Sequence, residues 1–269
     1  IHRGGATALQ ALTTATPDSS PARANRRNLW GYLAMSLGSF IAILDIQIVA
    51  SSINQIQAGL SASADEIQWV QTAYLIAEVI AVPLSGYLTR MLSTRVYFVA
   101  SALGFTLASL ACAMSWNLES MVVFRAIQGF LGGGMIPTAF ASMFHLFPDA
   151  KTRIMPQLVA GLTAMLAPSI GPTFGGVITD ALSWHWLFLV NLVPGLTCAA
   201  AVWLLVGIPA PTEARQRADA RALILAVGGL IGAILIVAGI WYFYRWSASL
   251  SEWLDKAKAK EAKWVLYPL

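Results

Sequence analysis

Residues 119–146 read ESMVVFRAIQGFLGGGMIPTAFASMFHL. Between Glu119 and His145 the only ionisable side chain is Arg125. As a helix rising about 1.5 Å per residue, this stretch is long enough to cross a bilayer core of about 30 Å. An arginine inside such a run is costly in hydrocarbon, so it faces a cavity or a partner charge. Six further apolar segments flank it, at about 29–53, 66–88, 96–115, 154–179, 186–208 and 222–244. Seven spanning helices predict an all-α membrane protein in contact with the lipid bilayer. The chain has 269 residues, 57% hydrophobic and 11% charged. An average soluble domain is about one-quarter charged, so the composition excludes a soluble globule, a disordered chain and a collagen-like fibre.

The loops alternate in charge. Arg23, Arg26 and Arg27, then Arg90 and Arg95, Lys151 and Arg153, and Arg215, Arg217 and Arg221 occupy one set. The loops at 54–65, 115–119 and 180–185 carry no Lys or Arg. The positive-inside rule places the basic set, and the N-terminus, in the cytoplasm. Residues 1–28 read as a flexible cytoplasmic tail and 209–221 as a cytoplasmic linker. Past the seventh segment, Arg245, Lys256, Lys258, Lys260 and Lys263 fall on the outer side against the rule. The stretch SLSEWLDKAKAKEAKW within 245–269 reads as an amphipathic helix, either interfacial or solvated.

Asp45 and Glu78 are the other ionisable residues buried in spans. Counting residues from the span ends puts Asp45 and Arg125 at similar depth, so an ion pair between two neighbouring helices is allowed, whereas Glu78 falls nearer the midplane. Two meanings are open for these groups. A sheltered carboxyl can load and release protons along a transport pathway, or the pair is a static packing element. Gly129, Gly132, Gly133, Gly134 and Pro137, and then Pro168, Gly171, Pro172, Gly175 and Gly176, mark close helix approach and bends. Gly228 and Gly232 form a GxxxG for helix docking or packing in the seventh segment. His145 and His185 read as interfacial, and Cys112 and Cys198 lack the spacing of a disulfide or metal site. There is no P-loop, HExxH, CxxC or GxSxG, so no enzyme, metal or cofactor chemistry and no nucleic-acid partner is expected.

Five stretches resemble the fourteen-helix drug:proton antiporter family of the major facilitator superfamily. They are LDIQIV at 44–49, WVQTAYLIAEVIAVPLSGYL at 69–88, FRAIQGFLGGG at 124–134, APSIGPTFGG at 167–176 and SWHWLFLVN at 183–191. The resemblance implies a six-helix facilitator half-bundle, a 3+3 inverted repeat over residues 29–208, followed by a seventh hydrophobic helix. It implies export of hydrophobic or cationic drugs against protons. Asp45, Glu78, Arg125 and Gln128 are then the proton-coupling or substrate-binding set. Gly86, Gly129, Pro168, Gly171, Pro172, Gly175 and Gly176 have conformational or packing roles. The loop GYLTRMLSTR at 86–95 departs from the family pattern, with Arg90 where Asp is usual and Ser93 in place of a second Gly.

A facilitator has two such halves, with the substrate site between them. A single half is expected to need a second half-bundle, a second copy or other membrane subunits to shelter helices one, two, four and five. Two readings follow: part of a proton-coupled exporter, or a truncated, non-transporting subunit of a larger membrane complex. On the transport reading, Asp45→Asn and Arg125→Ala are each expected to abolish efflux without unfolding the chain.

Overall fold

The computed structural model describes residues 21–207 and 215–266. Ten helices are described: α1 (Pro21–Ser51), α2 (Ile53–Leu60), α3 (Trp69–Leu92), α4 (Thr94–Ala113), α5 (Leu118–Gly133), α6 (Met135–Leu146), α7 (Ala150–Ala181), α8 (Trp186–Leu189), α9 (Leu192–Leu205) and α10 (Arg215–Leu266). Among the described residues six helical stretches are long and apolar enough to cross a membrane. The segment 118–146 supplies another crossing in two pieces. Pro137 has no N–H to donate to the carbonyl of Gly133, and three successive glycines add little helix preference, so the helix steps at Gly134 between α5 and α6.

Successive spans run antiparallel, and the basic loops gather at one end of the bundle. There Asn28 donates to the carbonyl of Leu146 at 3.4 Å, Tyr32 meets Phe147 edge-on at 6.1 Å, and the Arg95 guanidinium lies 4.2 Å over the Trp203 ring. At the opposite end Trp69 packs edge-on against Trp241 at 5.4 Å, and Arg245 pairs with Glu119 at 3.1 Å. The core is built around α1, α4 and α5, with α3 packed along α5, α7 along α1 and α9 along α4. Tight helix contact is a glycine effect. An ideal Cβ at Gly129 would lie 2.3 Å from the Tyr74 carbonyl oxygen, so α3 and α5 touch backbone to backbone.

The motif at 167–176 divides by face. Ala167, Gly171 and Gly175 form a buried stripe against Gln47, Ile48 and Ser51 of α1. Pro172 is exposed, and nothing lies within 4 Å of a Cβ built at Gly176. Gly86, Gly228 and Gly232 likewise face open space in this chain. Ser93, alone between α3 and α4, has φ 84°, in the left-handed region that favours glycine. The departure from the family loop therefore falls where the backbone most wants the missing glycine.

Three boundaries differ from the sequence reading. Residues 21–28 already belong to α1, and residues 1–20 lie outside the described set. The linker is helical from Arg215, while 208–214 lie outside the described residues. The Lys-rich stretch is no separate element: α10 runs unbroken for 52 residues, about 78 Å at 1.5 Å per residue. That is well over twice the thickness of a bilayer core. Its central part packs on α3 and α5 through Ala233, Val237 and Trp241.

Candidate functional site

The three charges of the sequence reading do not form one group. Asp45 of α1 and Arg125 of α5 meet: Nη1 of Arg125 lies 2.5 Å from Oδ2 of Asp45, and neither residue has any exposed surface. The other carboxylate oxygen, Oδ1, accepts from Gln128 Nε2 at 3.1 Å and from Asn191 Nδ2 at 2.7 Å. Gln128 is fully engaged as well. Its Oε1 accepts from Arg125 Nη1 at 2.7 Å and from the Cys112 thiol at 3.5 Å, and its Nε2 also donates to Ser109 Oγ at 2.8 Å. Nε of Arg125 donates to the carbonyl of Val70 at 3.3 Å. The guanidinium lies 4.3 Å over the Tyr74 ring and 5.7 Å from that of Phe188. Among the described residues its Nη2 has no hydrogen-bond partner.

These groups come from α1, α3, α4, α5, α8 and the turn into α9. Local sequence explains each placement. Arg125 and Gln128 are three apart on α5, hence on one face. Ser109 and Cys112 repeat that spacing on α4. Asn191 sits in the turn between α8 and α9, where its carbonyl accepts from Gly195 N at 2.9 Å while its amide side chain reaches inward. Buried charges need a partner and hydrogen bonds to be tolerated, and here both are supplied.

The expectation that another protein surface must shelter the pair is therefore corrected: this chain's own helices close over Asp45 and Arg125. The expectation that Arg125→Ala leaves folding intact also runs against the geometry. Stripping one partner from a buried pair costs about 3–5 kcal/mol.

Glu78 lies apart. It is half-buried on α3, one turn beyond Tyr74, and among the described residues it makes no ion pair or side-chain hydrogen bond. Sequence reasoning missed Ser109 and Asn191. Neither carries charge, and Asn191, although inside the quoted stretch 183–191, looked like a turn residue.

A cavity of about 390 Å³ lies in the half of the bundle nearer the basic end, between α1, α6 and α7. Ile43, Ile136 and Phe140 line it, with Tyr32, Ser39 and Gln157 as polar points. Such a lining suits an apolar or amphipathic guest. The faces of α3 and α7 are largely uncovered, with Val79 and Val82 on the first and Leu158, Leu162 and Met165 on the second exposed.

The sequence matches the Major Facilitator Superfamily over residues 35–261. It is 56% identical over 172 residues to the colistin resistance protein EmrB of Acinetobacter baumannii, covering 64% of this chain and 33% of that protein. It is 34% identical over 206 residues to the multidrug export protein EmrB of Escherichia coli, covering 76% and 40%. It is 33% identical over 205 residues to the fatty acid resistance protein FarB of Neisseria gonorrhoeae, again covering 76% and 40%. The chain thus spans about a third to two-fifths of the length of these relatives.

Proposed function

The chain belongs to the major facilitator superfamily, and on that footing we propose that it is the transporting half of a proton-driven exporter of hydrophobic or cationic compounds. It lies in a bacterial inner membrane with its basic end in the cytoplasm, as the charge of the loops favours. The observation that carries the reading is the Asp45–Arg125 pair, held without exposed surface and bonded on both carboxylate oxygens. A static packing role needs no charge in hydrocarbon, where apolar side chains of similar volume serve as well or better. The relatives' names, which speak of multidrug export and of colistin and fatty acid resistance, support the direction and the substrate class.

In this reading the compound enters the cavity between α1, α6 and α7 from the cytoplasm. The cluster joins the helices around it, so that they move as one body during alternating access. Gly129, Gly171 and Gly175 let the α3–α5 and α1–α7 pairs slide as packed units. The open faces of α3 and α7 take a second half-bundle. A ligand or proton shifts such an equilibrium only by its different affinity for the two states.

Everted membrane vesicles containing the protein test this with a fluorescent organic cation. Accumulation should follow an imposed proton gradient, vanish when the gradient is collapsed, and be lost in Arg125→Lys, which keeps the charge but not the forked hydrogen bonds. Accumulation indifferent to the gradient, or unchanged in Arg125→Lys, overturns the proposal.

A further inference from the structure

We propose that Glu78, and not Asp45, is the carboxyl that exchanges protons in this half of the protein, with Asp45 serving as a fixed charge. The inference rests on the transport reading above and assigns its proton-carrying group.

A group that exchanges protons has to be reached by them and has to be free to hold them. Asp45 is neither reached nor free. It has no exposed surface, and Arg125, Gln128 and Asn191 occupy both its oxygens. A proton arriving there has to displace one of the donors that tie α1 to α5 and to the turn before α9. Glu78 meets both conditions, being half-buried and, among the described residues, without a hydrogen-bonding partner of its own.

Its position suits the task. The Tyr74 hydroxyl donates to the carbonyl of Ala42 at 3.5 Å and the Gln71 amide to that of Ile46 at 3.4 Å, which fixes the antiparallel register of α3 on α1. Glu78 follows one turn further along α3, while Ser39 on α1 borders the cavity. Across from it is the step in the broken helix: a Cβ on Gly133 would stand 2.8 Å from Glu78 Cα and 2.9 Å from its Cγ. The side chain therefore starts out at the joint between α5 and α6, where Pro137 leaves the Gly133 carbonyl without its usual helical donor.

The ionisable groups on the surrounding elements are few. Arg125 lies on α5, eight residues or about 12 Å up the same helix from Gly133. Asp45 is on α1, and Tyr97 on α4 packs against Gly134. Tyr74 is on the same helix as Glu78, between it and the guanidinium. His145 is at the far end of α6, and α10 places Arg245 beside Glu119 at the opposite end of the bundle. An ionised Glu78 thus attracts Arg125 along α5 without touching it, and a protonated one does not. Uptake of a proton from water on one side and its return to water on the other changes that pull while the Asp45 latch stays closed.

Dicyclohexylcarbodiimide, which couples to protonated carboxyls in apolar surroundings, is the probe, applied to the protein in its native membrane and read by peptide mass. The adduct is expected on the peptide carrying Glu78, with that carrying Asp45 unmodified. Its yield should fall about tenfold per unit of pH once the group is mostly ionised. Glu78→Gln should abolish labelling and leave the melting temperature unchanged, as befits a side chain with no partner to lose. Label on Asp45, label on neither residue, or label on Glu78 indifferent to pH overturns the inference. The readout needs no transport. If accumulation in vesicles fails while Glu78 still labels as stated, the exporter reading falls and the accessible carboxyl stands; the converse pair of results separates them the other way.

Discussion

Gly129→Ala, compared with Gly86→Ala, measures how closely α3 and α5 are packed beneath the cluster. Both glycines are inside helices, so each alanine gains about 1 kcal/mol of helix propensity. They differ in what the new methyl meets. At Gly86 nothing lies within 4 Å. At Gly129 the methyl would stand 2.3 Å from the Tyr74 carbonyl oxygen, 2.8 Å from its Cα and 2.9 Å from its carbonyl carbon. These are backbone atoms, so no side-chain rotation relieves the overlap and the two helices have to part. Overpacking of this kind costs about 1–3 kcal/mol. Taking the difference between the variants cancels the propensity gain and leaves the clash, which corresponds to roughly 2–10 °C in melting temperature for a chain of this size. The separation also lifts the Tyr74 ring from Arg125, now at 4.3 Å, and draws the Val70 carbonyl from Nε. The assay is built into the protein. Its two cysteines, Cys112 and Cys198, are both buried, so a thiol-reactive fluorophore reports unfolding directly. Equal melting temperatures for the two variants would refute the close approach of α3 to α5 and the placement of Tyr74 over the guanidinium.

Asn191→Ala removes the 2.7 Å donor to Asp45 and should cost about 1.5–3 kcal/mol, the range for hydrogen bonds to charged groups, in the same thiol assay. Asn191→Asp should be worse, because it sets a second carboxylate against Asp45 in a buried site. Trp241→Ala should cost about 3–5 kcal/mol and speed hydrogen exchange across the central part of α10, since Trp241 is 6% exposed and rests on Trp69. Arg245→Ala should change that exchange little, below about 1 kcal/mol, because both members of the pair with Glu119 are more than half exposed.

The fold was legible because a bilayer leaves a chain few choices. Apolar runs of spanning length and loops of alternating charge specify helices and their order. Within the site, Asp45 and Arg125 declared themselves by being charged in hydrocarbon, and depth along their helices matched them. Gln128 entered only through the resemblance of FRAIQGFLGGG at 124–134 to the family's fourth-helix motif. Ser109 and Asn191 gave no such signal. A serine in a span satisfies itself on its own helix, as Thr106 does on the carbonyl of Ala102, and an asparagine at a helix junction reads as a turn. Their role exists only through contacts between residues far apart in sequence, 82 positions for that pair and 146 for Asn191 with Asp45. The glycines divide the same way. Spacing marked Gly171 and Gly176 alike, but helical phase buries the first against Gln47 and turns the second to open space.

The internal shelter of the acid–base pair changes what can be inferred from its presence. In the sequence, a buried acid and base called for an outside partner. In the folded chain that demand is met from within, and the pair bears on how six helices are tied together. Evidence of a missing partner moves to the surface. The central face of α3 toward α10 is covered, through Trp69, Ala73 and Ala77, whereas Val79 and Val82 on the same helix and Leu158, Leu162 and Met165 on α7 are open. Lipid tolerates apolar side chains, so these residues alone would not demand a protein neighbour. The half-buried carboxyl of Glu78, on the same helix as Val79 and Val82, is the group that lipid does not tolerate ionised. It makes opposing demands on the two forms of the chain. Standing alone in a bilayer, the half-bundle turns the charged form of Glu78 toward lipid, at a cost. On the proposal above, a second half facing it across a water-filled cavity lets the same group ionise and exchange protons.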